Sequence, residues 1–175
     1  MSAGAGAPEP AAGSADALLQ ALLLRIGTLN YVWTNTESLL IHLIAGLGPM
    51  SKDTAMVVFL TVNTSRARME LVERLAKMPA TPDDQRVAAL DLTARFQREA
   101  PLRNKFNHCI YSFDPAQGTV STILMRIADR KDSLKIGRAD PTDARELAAL
   151  DDAVARIRAL NLDIWQVISR FGYPT

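Results

Sequence analysis

The stretch SADALLQALLLRIGTLNYVWTNTESLLIHLI, Ser14–Ile44, decides the fold class. Its apolar residues Leu18, Leu22, Ile26, Leu29, Trp33, Leu40 and Ile44 recur at helical spacing, behind Ser14 as N-cap and Asp16 in the first turn. Gly46, Gly48 and Pro49 stop the series. A helix of roughly 30 residues is about 45 Å long, enough to be the spine of a domain. Glu37 falls on the same stripe, and a carboxylate there needs a cation opposite it. Arg66, Arg68 and Arg103 are the candidates for that structural ion pair. Tyr31, Asn35, Ser38 and His42 form a second, polar stripe, which reads as a solvated face or as the wall of a small-ligand site.

A second long helix lies at the other end of the chain. Asp140 and Pro141 open it, Asp143 and Glu146 sit in its first turn, and Gly172 and Pro174 end it. Its apolar face is Leu147, Leu150, Val154, Ile157, Leu160, Ile164, Val167 or Ile168, and Phe171. Between the two, Ser51 and Asp53 cap a short helix through Val57–Leu60, and another runs from Arg66 to Met78 with Met69, Val72 and Leu75 inward. A third starts near Asp83, turning Val87, Leu90, Ala94 and Phe96 inward until Pro101 kinks or restarts it. After Tyr111 the period changes: Phe113–Gly118 reads as a turn, and the β-branched run Thr119–Ile127 as part of a hairpin. The expected fold is mainly α, an up-and-down helical bundle with two long helices and a small β-hairpin after the Arg103–His108 helix. Residues 1–13, rich in Ala, Gly and Pro, read as a disordered tail and residues 14–175 as a single helical domain.

A formal charge of +1 excludes a global field that would gather nucleic acid or membrane, so any such contact must be local. The single cysteine, Cys109, excludes an internal disulfide and a Cys-based zinc site, and it reads as a small core residue sooner than a nucleophile. Arg25, Asn30, Asn35, Glu37 and His42 interrupt the most apolar region, so no membrane span is expected and the setting reads as cytoplasmic. No phosphate loop or metal-ligand spacing is present, and neither cofactor nor metal is expected.

Chemistry concentrates in Arg103-Asn104-Lys105-Phe106-Asn107-His108. A guanidinium suited to phosphate, an amide and an imidazole that titrates near neutral pH fall within six residues. On a helix, Asn104 and His108 share a face, and the long Arg103 stem can reach round to them. Because proline is tolerated near a helix start, Pro101 places Arg103 and Asn104 in a first turn, where free N–H groups and the dipole favour phosphate. Lys105 and the basic segment Arg126, Arg130, Lys131, Lys135 and Arg138 are the candidates for contacts to an RNA backbone.

The pattern Arg-Asn-x-x-x-His on a late helix of a mostly helical chain resembles the HEPN superfamily of helical domains. That resemblance implies a metal-independent endoribonuclease acting as a homodimer, with Arg103, Asn104 and His108 of both copies lining one cleft and a 2′,3′-cyclic phosphate as product. It also implies toxin–antitoxin pairing, with an antitoxin or regulatory protein as partner. Family toxins paired with nucleotidyltransferase antitoxins often carry tyrosine two residues after the histidine, whereas Tyr111 here is three after. Other members of the family are binding or dimerisation modules without catalysis. On that alternative Arg103 pairs with Glu37, and His108 caps or packs locally.

Overall fold

The structure is a computed structural model describing residues 12–114, 119–130 and 133–175, with backbone alone for 12–15, 125–130, 133–136, 138 and 139. The expected tail, as far as residue 11, lies outside the described residues. The order is α1 (Ala12–Ser38), α2 (Leu40–Leu47), α3 (Lys52–Thr61), α4 (Ser65–Ala76), α5 (Asp83–Asn107), β1 (Cys109–Asp114), β2 (Thr119–Arg130), β3 (Ser133–Pro141) and α6 (Ala144–Phe171). The fold is therefore mainly α, a helical bundle with a small antiparallel sheet.

Two compact units divide the chain. One takes residues up to Gly27 and Asn104–Leu150, the other Thr28–Arg103 and Asp151–Thr175. The larger unit is built on the apolar stripes. Leu29, Trp33, Leu40 and Ile44 are buried as their spacing requires, and so are Ala153, Val154, Ile157, Leu160, Ile164 and Ile168 on α6. Trp33 lies against Phe96 with ring centroids 4.3 Å apart. Of the three arginines facing the Glu37 question, Arg68 takes it: its Nη1 donates to Glu37 Oε1 at 3.0 Å, and Trp33 Nε1 donates to Oε2 at 3.2 Å.

The first long helix breaks where a continuous rod was expected. Leu39 separates α1 from α2, and its N–H turns to Thr36 O at 3.2 Å, a tighter i→i+3 bond. Ser38 Oγ donates back to Asn35 O at 2.8 Å, competing for the carbonyls the helix needs. On α5 the buried face is Ala89, Leu92, Thr93, Phe96 and Glu99 rather than the expected Val87, Leu90 and Ala94; Val87 is exposed. Two polar residues are buried there because each is satisfied. Thr93 Oγ1 donates to Ala89 O at 3.1 Å, and Glu99 receives Arg156 in a two-pronged pair at 2.7 and 2.9 Å.

Helix ends follow local chemistry. Ser51 and Thr64 cap α3 and α4 by accepting from Thr54 N and Ala67 N. The last helix starts later than expected: Asp140 and Pro141 end β3, and Asp143 caps α6 through Glu146 N at 2.9 Å. Gly172 ends α6 at φ 62°, a conformation that costs glycine little. Tyr173 then folds onto Gly46, where an added Cβ would stand 2.1 Å from its ring.

In the smaller unit the hairpin has a third strand, in the order β1-β2-β3. Phe113 and Asp114, expected in the turn, extend β1 opposite Val120 and Thr119, while 115–118 lie outside the described residues. Between Leu124 and Ile127 the register slips. Residues 125 and 126 face Gly137 alone, whose φ of 71° accommodates the bulge.

Candidate functional site

The Arg103–His108 segment closes a helix. Pro101 lies inside α5, which runs on to Asn107, so Arg103 and Asn104 occupy a last turn rather than a first. That corrects the expected phosphate seat. A C-terminal turn presents carbonyls and the negative end of the dipole, both of which disfavour an anion. A helix with about five turns behind it accepts the loss of one N–H at proline, which a sequence rule placing proline near a start does not anticipate. His108 N donates to Asn104 O at 3.2 Å and Lys105 O at 3.4 Å, ending the helix.

Each motif side chain has its own surroundings. Arg103 belongs to the larger unit and is half-buried, its guanidinium carbon 5.3 Å from the Trp33 ring centroid. The Glu37 carboxylate is paired with Arg68. Trp33 offers Arg103 a fixed platform, because its other contacts are to Phe96 and Glu37. Asn104 and His108 belong to the smaller unit, and both are exposed. Asn104 sits in the last turn of α5 and His108 is the first residue past its end. His108 is thus presented outward rather than packed in the interior.

Lys105, expected among the RNA contacts, pairs with Glu146 in the first turn of α6 and lies 5.5 Å from the Phe106 ring centroid. Phe106 is buried, whereas Ile110 is half exposed. Cys109 is partly buried, with its Sγ 3.7 Å from Phe106 O. The Tyr111 hydroxyl donates to Phe106 O, and burial first, then the neighbouring Cys109 thiol, pushes its phenol well above the usual range.

Arg126 and Arg130 fall in β2, and Lys135 and Arg138 in β3, so the basic segment is largely strand rather than loop. Arg138 stands opposite Leu124 and Lys135 opposite Ala128 in the backbone register. The side chains of these four, and Lys131 altogether, lie outside the described residues. Among the described residues no cluster of His, Cys, Asp or Glu could hold a metal ion, and no helix is long and apolar enough to cross a membrane.

Within the larger unit, a cavity of about 620 Å³ opens between α1 and α6. Tyr31, Asn35 and Ser38 of the polar stripe line it, so that stripe is more than a solvated face. The fourth member, His42, lies instead beside Trp165, 5.4 Å between centroids, with Nδ1 2.6 Å from Pro174 O. Arg158, Asn161 and Trp165 complete the cavity from α6 and were missed because that helix was read only for its apolar face. Their spacing of three and four residues was the available signal. No family model, curated protein or solved structure compared with the chain matches it.

Proposed function

We propose that this chain is a HEPN-like, metal-independent endoribonuclease that acts as a homodimer, with Arg103, Asn104 and His108 as its working groups. The supporting observation is the exposure of both Asn104, in the last turn of α5, and His108, just past its end. A histidine needed for packing would be buried with its nitrogens satisfied; this one is presented outward. One chain supplies one such pair of residues, and two-fold symmetry supplies the second.

In the paired site one His108, neutral, takes the proton from a ribose 2′-hydroxyl as that oxygen attacks phosphorus. The other His108, protonated, delivers a proton to the departing 5′-oxygen. The P–O5′ bond breaks as the P–O2′ bond forms, leaving a 2′,3′-cyclic phosphate and a free 5′-hydroxyl. Arg103 and its symmetry mate stabilise the phosphorane charge, and Asn104 orients an imidazole or a phosphate oxygen. A cytoplasmic setting and an antitoxin or regulatory partner accompany this reading.

The second reading is a non-catalytic binding or dimerisation module. It is favoured by the placement of the motif at a helix C-terminus, with Arg103 on Trp33 and Lys105 on Glu146. RNA cleavage in EDTA by wild type, His108→Ala and Arg103→Ala, on protein whose mass is measured by light scattering, separates the two. Cleavage by a dimer that both substitutions abolish supports the nuclease. An inert protein with unchanged mass and stability in His108→Ala supports the module.

A further inference from the structure

We infer that the cavity between α1 and α6 binds a small planar aromatic molecule carrying a single negative charge, a carboxylate or sulfonate. This goes beyond the nuclease reading and does not depend on it. The volume, about 620 Å³, suits a ligand of two or three rings.

The walls offer two kinds of surface. Tyr31, Leu162 and Trp165 line the cavity while 68%, 64% and 43% exposed, an apolar and aromatic surface that the fold leaves uncovered. Beside them stands Arg158, which makes no ion pair with any described residue. That sets it apart from the other arginines nearby: Arg156 is held by Glu99, and Arg95 by Asp163 at 2.5 Å. Asn161 is oriented by its bond to the fully buried Thr36, Nδ2 to Oγ1 at 3.1 Å, so part of the polar wall is already fixed. Asn35 adds a second amide on the opposite helix.

The charge count selects the ligand. One guanidinium matches one anionic group, and a polyphosphate would leave most of its charge unanswered. A purely apolar ligand would leave Arg158 and the two amides without partners. A flat ring against Tyr31 and Trp165 with its anionic group on Arg158 satisfies both surfaces.

The test uses the full chain and 8-anilinonaphthalene-1-sulfonate, followed by its fluorescence, with neutral N-phenyl-1-naphthylamine as its uncharged counterpart. The expected result is saturable binding of one sulfonate per chain, competed by 2-naphthoate. Arg158→Gln should weaken the sulfonate by about tenfold or more while leaving the neutral compound unchanged, since only the charge-assisted bond is lost. Trp165→Leu should weaken both compounds. All these side chains are exposed or at the cavity wall, and circular dichroism checks that the variants fold. Equal sulfonate affinity in wild type and Arg158→Gln overturns the inference. So does non-saturable binding, or a chain that binds neither compound because light scattering shows a second copy covering the face.

Discussion

Replacing Glu37 by Ala should destabilise the protein by about 3–5 kcal/mol, the range for breaking a buried ion pair by removing one partner. The side chains of Glu37 and Arg68 are 8% and 19% exposed, so water reaches the pair poorly. The substitution strands two donors. Trp33 Nε1, on a residue 1% exposed, loses its acceptor at 3.2 Å, an effect worth about 1–3 kcal/mol. Arg68 loses the carboxylate it pairs with but keeps Nε bonds to Phe59 O at 3.1 Å and Val62 O at 2.9 Å, and it remains over the Phe59 ring at 4.1 Å. Those residual contacts place the expected loss at the lower end, about 3 kcal/mol. For a chain of this size that corresponds to roughly 6–12 °C in Tm. Glu37→Gln, which keeps one acceptor oxygen for two donors, should lose about half as much. Arg68→Met should lose more than Glu37→Ala, because the Phe59 and Val62 carbonyls go unanswered as well. Urea unfolding followed by tryptophan fluorescence measures all three. A Glu37→Ala variant within about 0.5 kcal/mol of wild type, the range of ordinary surface changes, would refute the reasoning.

Two further perturbations test the site and the C-terminus. Lys105→Ala should lower stability by about 1–2 kcal/mol while leaving RNA affinity unchanged in a filter-binding assay, because its ammonium is held by Glu146; weakened RNA binding at unchanged stability would return Lys105 to the RNA contacts. The Tyr173 phenol is pushed up to about 12, by burial first and then by Asp84. A pKa raised on folding gives stability that is fully present below the unfolded value near 10 and lost as pH climbs through about 12. Tyr173→Phe should therefore show a shallower loss of stability than wild type between those pH values, read by chemical denaturation across that range.

The apolar stripes were legible because burial alone sets their spacing. Leu150, Val154, Ile157, Leu160 and Ile164 are buried where the helical period put them. The face of α5 was not, since Thr93 and Glu99 are buried by partners on other turns and other helices that no local pattern displays. The break at Leu39 likewise depends on one serine hydroxyl choosing a backbone carbonyl. Glu37 announced its need for a cation, but only the packing selects Arg68 over Arg66 and Arg103. Of the motif, the outward facing of Asn104 and His108 was legible from the helical pattern. Which end of a helix the motif occupies was not, because Pro101 is carried inside α5. The cavity was half legible: the stripe Tyr31, Asn35 and Ser38 was visible on one helix, while Arg158, Asn161 and Trp165 arrive from a part of the chain more than a hundred residues away.

The most direct test of the proposed chemistry is the cleavage of single-stranded RNA in EDTA by wild type and by His108→Ala, with the product ends resolved. The exposed His108 can be removed without loss of packing, so the variant should fold with wild-type stability and lose cleavage. Wild type should leave 2′,3′-cyclic phosphate ends. Equal cleavage by both proteins, or no cleavage by a folded wild-type dimer on varied RNAs, would contradict the nuclease account.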